Sequence, residues 1–421
     1  MQALEGIKVV ELASYISTPA ATALLGEFGA DVIHVEPKQG DDSRALGDTE
    51  FLRRNGKWFQ AVNYNKRSLC LDWRKPEAKE IIYELVKKAD ILTENFRDEK
   101  RTVRLGFDYD TIKKINPRII YFSQSSFGRE GPYATWASHD GVLQSFAGVA
   151  WSNRLPDGKP RTAVGLMAAD GSTPMLAAFS MMVALYARDR TGEGQRVDLS
   201  LLSGLLQQLT VNLVNVPADT TPVGFDFATA YLRGAGTASL DFYQTADDRW
   251  INVRIVSDLH LKKFIELLGI GDILNERFPE DMKTEQLQTV FVSKGGEIYD
   301  IIQAVMFQKT YDEWVEIFMG NGLPFGQFNK TTDLFTDPQM IANEYVMELN
   351  HPVFGKIQQL GVLPKLEKTP GRKHTPAPML GQHTVEILSE LKYEKDKIDA
   401  LREKEVIFTS PDEPLSQAID K

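Results

Sequence analysis

The chain has 421 residues, more than one simple core needs and enough for two domains. Its 43% hydrophobic and 25% charged residues are those of an ordinary globular protein. A formal net charge of −10 argues against a nucleic-acid partner, because phosphate binding needs a basic face, but it leaves room for a local basic pocket. The single cysteine, Cys70, has no partner for an internal disulfide, and no CxxC, HExxH or Cys/His cluster supplies metal ligands, so no metal site is expected. The opening MQALEGIKVVEL lacks a basic stretch followed by an apolar run. The most apolar segment, Met175 to Ala187, is shorter than the roughly 20 residues that span a bilayer. A soluble, cytoplasmic protein without a membrane partner is expected.

The N-terminal half alternates strand and helix signals. Ile7 to Leu12 is a β-branched run that predicts a buried strand, and a helix is expected from Pro19 to Phe28, ended by Gly29. Strands are predicted at Asp31 to Val35, Ser68 to Leu71, Asp90 to Leu92 and Arg118 to Ser123. Between them Pro76 to Lys88 places Ile81, Ile82, Leu85 and Val86 on one helical face. Strand–helix–strand repetition with short links indicates an α/β fold with a parallel, doubly wound sheet. A long helix is expected from Pro174 to Gly192. From about Thr221 the texture changes, and strands near Phe242 and from Trp250 to Ile255 predict a small α+β unit. His351 to Pro378 reads as an extended connection, followed by a last helix from Thr384 to Leu391 and a charged tail. The expected domains are 1–220, 221–335 and a return segment 336–421.

The turn after the first strand, Ala13 to Pro19, contains no GxGxxG, and there is no Walker loop or GxSxG elbow. Most NAD enzymes, kinases and α/β hydrolases are thereby set aside. Asp170, in GLMAADGSTPMLAAF, stands just before the long helix. Its position fits an ordinary helix N-cap. It equally fits a carboxylate nucleophile beside free helix amides, and position alone does not choose between the two. His139 and Asp140 are adjacent; such a pair is commonly structural, yet a histidine near a thioester can move an α-proton. Basic residues gather at Lys66-Arg67 and at Arg97, Lys100, Arg101 and Arg104, as a solvated face or a phosphate cradle. Cys70, between Leu69 and Leu71, reads as core.

Several blocks occur in one order along nearly the whole chain. They are LEGIKVVELASYISTPAATALLGEFGADVIHVEP, NYNKRSLCLD, ADILTENF with RLGFDY, the Asp170 segment, ALYARDRTGEGQRVDLSLL, FYQTADDRWINV and LGQHTVEILSEL. On these blocks the chain resembles the class III coenzyme A transferases, the group of formyl-CoA, carnitine and bile-acid CoA transferases. The C-terminal LPFGQF, DPQMIANEY and TPAPMLGQHTVEIL look most like the branch acting on 2-hydroxy acids.

The resemblance implies a Rossmann-like large domain built from both chain ends, a smaller α+β domain, and an interlocked homodimer. It implies that Asp170 carries the acyl group and then CoA, with acyl-CoA and a carboxylic acid as substrates and no prosthetic group. It also places coenzyme contacts at Tyr15, Ile16, Ser17, Leu71, Asn95, Phe96, Arg104 and Leu105. The family's basic residue after the second strand falls on Pro37, with Lys38 adjacent as its substitute. A lysine of some members falls on Ala137, and the glycine run of formyl-type members is reduced to Gly234 and Gly236. Two alternatives stand beside this. α-Methylacyl-CoA racemases share the fold, and their two bases fall on His139 and Asp170, although Gly141, Val142 and Leu143 depart from their usual continuation. A CoA-binding protein without turnover is the other.

Overall fold

The computed structural model describes residues 1–46, 55–155, 157–163, 165–213, 238–239, 241–255, 257–284 and 286–409. The sequence expectations at Thr221, Gly234 and Gly236 lie outside these residues. The chain divides into two units: Met1–Ala147 with Ala163–Thr210 and Phe335–Lys421, and Gly148–Thr162 with Val211–Leu334. The segment Gly148–Thr162, inside the expected 1–220 region, thus groups with the second unit.

In chain order the structure runs β1 (Lys8–Glu11), α1 (Ser17–Glu27), β2 (Asp31–Glu36), α2 (Lys57–Val62), β3 (Lys66–Leu71), α3 (Pro76–Lys88), β4 (Ile91–Glu94), α4 (Glu99–Leu105), α5 (Tyr109–Ile115), β5 (Ile120–Ser125) and α6 (Asp140–Phe146). It continues through α7 (Val149–Ser152), α8 (Ala168–Thr191), β6 (Gln195–Ser200) and α9 (Leu201–Gln208). Strands β7 (Phe242–Gln244), β8 (Trp250–Val253) and β9 (Phe325–Gln327) follow, then β10 (Val346–His351), β11 (Gly355–Leu360) and β12 (Ile407–Phe408).

The first unit holds a seven-stranded sheet in the order β12-β3-β2-β1-β4-β5-β6. Its six longer strands are parallel and β12 joins β3 antiparallel, pairing Ile407 with Leu71. Alternation along each strand feeds two cores, because successive side chains point to opposite faces. Val10, Leu92 and Tyr121 pack with Ile81, Ile82 and Val86 of α3 and with Ile387 and Leu401. Val9, Ile91, Ile120 and Phe122 pack on the other face with Leu25 of α1 and with Ala177, Met181 and Leu185 of α8. The second unit has its own core, in which Tyr243 and Ile251 of the antiparallel β7-β8-β9 sheet pack with Phe264, Trp314 and Phe318.

Three expectations are corrected. The connection after His351 contains β11, which pairs antiparallel with the preceding β10, and the charged tail contains a helix, Lys395–Glu403, and strand β12. Charged residues hid the helix, because it buries only a narrow apolar side, Ile398 and Leu401. The long helix begins at Ala168, so Pro174 lies inside it and Asp170 sits in its first turn, with Met167 at the N-cap. No helix among the described residues is long and apolar enough to cross a membrane.

Beneath the parallel strands lies a buried charge network. Lys66 Nζ donates to Glu11 Oε2 at 2.7 Å, Pro19 O at 2.8 Å and Asn63 Oδ1 at 2.8 Å. His34 Nδ1 is 2.8 Å from Glu11 Oε2, and Arg44 grips both oxygens of Glu36 at 2.6 and 2.7 Å. Burial would raise the Glu11 carboxyl, but Lys66 and His34 outweigh it and hold the group down at about 2. The basic pair Lys66-Arg67 is therefore structural: Lys66 is sealed inside, and Arg67 pairs with Asp31, Glu386 and Glu390. Replacing Lys66 by Met leaves Glu11 charged and short of a partner in the core. The expected cost is ~3–5 kcal/mol, read as a lower urea midpoint at neutral pH.

Candidate active site

In an open parallel sheet the crevice beyond the strands' carboxyl ends, where the strand order reverses, is the natural ligand site. Here that reversal lies between β1 and β4. A cavity of about 520 Å³ opens there, lined by the segments after β1, β2, β4 and β5 and by His139 and Asp170.

The turn after β1 places Tyr15 in the left-handed region, at φ 78°, which costs a non-glycine residue energy unless its surroundings hold it. Two carboxylate contacts do so, Tyr15 N–H donating to the Asp41 oxygens at 3.1 and 3.2 Å. Asn95 locks the neighbouring residue, accepting from Ser14 N–H at 3.0 Å and donating to Ser14 O at 2.7 Å. Phe96 is fixed on both sides of its peptide: its N–H donates to Glu94 at 2.7 Å, and Arg129 donates to its carbonyl at 3.3 Å.

Asp170 is 8% exposed. Asp140 takes the capping role that the sequence suggested for Asp170, its Oδ1 accepting from Ala169 N–H at 2.6 Å and Asp170 N–H at 3.2 Å. Gln144 holds that carboxylate from α6, donating to Asp140 Oδ2 and accepting from Ala163 N–H at 2.8 Å. Burial, helped by the Asp140 charge and opposed by His139, pushes the Asp170 carboxyl up to about 6. The same burial, together with the Asp170, Asp42 and Asp41 charges, raises the Tyr15 hydroxyl. The Tyr15 ring lies 5.8 Å from that of His139. One turn beyond Asp170, a Cβ on Gly204 of α9 would fall 2.1 Å from Thr173 Oγ1, so only glycine lets α9 come this close to α8.

Of the residues singled out in the sequence, the cavity brings together Tyr15, Ile16, Ser17, Asn95, Phe96, His139 and Asp170. Leu71 is buried in the core against β12, and Leu105 packs on the same core. Lys38 pairs with Glu405 at 3.2 Å, and Arg104 lines a separate hollow with Glu99, Lys100 and Arg196. The basic groups on the cavity wall are instead Arg97 and Arg101, accompanied by Trp73. Arg101 lies 5.1 Å from the Phe96 ring, and Trp73 meets that ring edge-on at 5.7 Å. Gln124 and Ser125 also line the cavity; the signal for them was the polar run Ser123 to Ser125 closing the apolar start of β5. Among the described residues no group of three or more His, Cys, Asp or Glu is placed to hold a metal ion.

A family model described as CoA-transferase family III matches residues 4–384. The chain belongs to CoA-transferase family III. An acyl-CoA transferase of Fusarium pseudograminearum (strain CS3096) is 33% identical over 417 residues, covering 96% of this chain and 88% of that protein. The Mus musculus succinyl-CoA:glutarate CoA-transferase is 31% identical over 405 residues, covering 95% of this chain and 89% of its relative. A crystal structure of a CAIB/BAIF family protein from Brucella suis superposes with a TM-score of 0.76 at 28% identity, covering 93% of this chain and 99% of that one. The family III chain described here is thus an enzyme, a CoA-transferase whose fold is that of the CaiB/BaiF proteins.

The Asp170 environment makes a measurable statement. With 13C-labelled aspartate, one carboxyl resonance absent from Asp170→Asn is expected to titrate near pH 6. Asp140→Asn keeps an oxygen to cap the helix but removes the like charge, so this titration is expected to move down toward the ordinary 3.8.

Proposed function

We propose that the enzyme moves coenzyme A between carboxylic acids, with Asp170 as the covalent nucleophile. The observation that carries this is the Asp170 carboxylate, almost fully buried yet forming part of the wall of a 520 Å³ cavity at the sheet's switch point. An Asp170 oxygen attacks the thioester carbonyl of the donor, forming a mixed anhydride and releasing CoA as the thiolate. The thiolate attacks the aspartyl carbonyl of that anhydride, expelling the donor acid and leaving an aspartyl-CoA thioester. The acceptor carboxylate then runs both steps in reverse. One thioester is exchanged for another, so the sequence is close to thermoneutral and needs neither ATP nor a prosthetic group.

A carboxylate of ordinary basicity is a weak nucleophile. Burial raises Asp170 to about 6, which leaves it mostly ionised at neutral pH while making it more basic and less solvated. Holding it against the thioester supplies the remainder, with effective molarities on the order of 10⁵ M or more. In this reading Tyr15, Ile16, Ser17, Asn95 and Phe96 hold the coenzyme. Arg97 and Arg101 face its phosphates, and Trp73 with Phe96 offers aromatic faces beside them. Acceptors of the 2-hydroxy acid type and a cytoplasmic location belong to the same proposal.

A racemase is the second reading, because His139 lines the same cavity and its charge acts on Asp170. Incubation with labelled acyl-CoA and a pool of acids separates the two. The expected result is CoA exchange that rises with pH through about 6, falls at least ~10³-fold in Asp170→Asn, and leaves a CoA adduct on the Asp170 peptide after quenching. Solvent deuterium entering the α-carbon without an acceptor acid, and lost in His139→Ala, would assign the racemase instead. An adduct on another peptide would remove Asp170 from the nucleophile's role.

We also infer a homodimer. Met175, Phe179, Val183 and Tyr186 form an apolar stripe along α8 that is 60%, 64%, 50% and 65% exposed, and a second copy is the partner the reading supplies. Sedimentation at micromolar concentration is expected to give twice the chain mass of 47.3 kDa, and Phe179→Glu with Tyr186→Glu to lower it.

A further inference from the structure

We propose that Gln124 determines acyl specificity, its side-chain amide donating to a hydroxyl oxygen on the acyl group. This deepens the transfer reading of the Asp170 cavity and rests on it. Gln124 closes β5 and is 3% exposed, yet it lines the same cavity as Asp170. The Ser17 hydroxyl, at the start of α1, donates to Gln124 Oε1 at 3.1 Å and so fixes the amide plane. The amide nitrogen is a different matter. Among the described residues no acceptor reaches Nε2, and it is not one of the atoms sealed away from solvent without a partner. The amide is thus anchored at its oxygen, and its donor end keeps both N–H bonds unused beside the cavity that Gln124 lines. A donor this deep loses its water when a ligand enters, so an acyl chain that offers an oxygen is favoured over one that does not.

The charges on the wall decide which oxygen. Asp170, Asp41 and Asp42 contribute carboxylates to the cavity, whereas Arg97 and Arg101 accompany Trp73 and Phe96. A second carboxylate on the acyl group would face a neutral amide among like charges. A hydroxyl accepts from Gln124 without that penalty. Ile16, 4% exposed and on the same wall, suits the aliphatic remainder.

The test compares pentanoate, 2-hydroxypentanoate, 3-hydroxypentanoate and glutarate in two ways. One is titration calorimetry on the enzyme saturated with CoA, and the other is kcat/KM as acceptors from succinyl-CoA. Wild type is expected to bind one hydroxypentanoate about tenfold more tightly than pentanoate. Gln124→Leu is expected to abolish that preference, weakening the favoured hydroxypentanoate about tenfold more than pentanoate, and to lower the urea midpoint because the buried Ser17 hydroxyl loses its acceptor. Gln124→Glu keeps an oxygen for Ser17 and loses the donor, so it should lose the preference as well. Equal binding of all acids by wild type, an equal loss for all in Gln124→Leu, or a loss confined to glutarate would overturn the proposal. Selective binding without CoA exchange would count against the transfer reading alone. Exchange with selectivity unchanged in Gln124→Leu would count against Gln124 alone.

Discussion

Lys66 lies wholly inside the sheet layer, with Glu11 of β1 as its counter-charge and His34 of β2 on the other side of that carboxylate. Removing two such charges from water is expensive, and their attraction repays this only when every remaining donor and acceptor is satisfied. Here the chain of charges extends outward. His34 Nε2 approaches Asp41 at 3.4 Å, Ser43 N–H donates to Asp41 at 2.7 Å, and Asp41 in turn accepts from Tyr15 N–H. The network that fixes three parallel strands therefore also holds the strained turn at the rim of the cavity. A sheet core does not need charges in this place. What they supply is a carboxylate placed to accept from Tyr15 N–H, which helps hold that turn at φ 78°.

The other end of the cavity uses the same device. Asp140 caps α8 from a different helix, so the Asp170 carboxylate is not taken up by its own helix amides. Two acids then stand close together in a poorly solvated place, and the inner one is pushed up. A rise to about 6 leaves the carboxyl mostly ionised at neutral pH. Gln144 ties Asp140 to Ala163 N–H, and Gly204 lets α9 close over Thr173, so the Asp170 turn is braced on two sides.

Much of this was legible in the residues. The β-branched runs appear as strands, and α3 spans Pro76–Lys88 as its apolar spacing required. Cys70 is buried, as its apolar neighbours implied. Tyr15, Asn95, Phe96, His139 and Asp170 share one cavity, although they are scattered over more than 150 positions of the 421-residue chain. Legibility failed where burial is set by distant partners. Lys66 and Arg67 look like any solvated pair, and nothing adjacent in the chain reveals Glu11 beneath one and Asp31 beside the other. Pro174 resembles a helix start, because a proline one turn later would look the same without knowing that Asp140 caps Ala169.

The sequence by itself determined the class of fold and the family, and it singled out the Asp170 carboxylate, because hydrophobic period and ordered blocks are local properties of the chain. The tertiary structure alone decided which cations face the cavity, since Arg97 before α4 and Arg101 on it reach the wall while Arg104 lies beside another hollow. It also decided that Gln124 stands opposite Ser17 with its amide nitrogen unused. Such facts depend on where separate strand ends meet, and no spacing along the chain encodes a distance across a sheet.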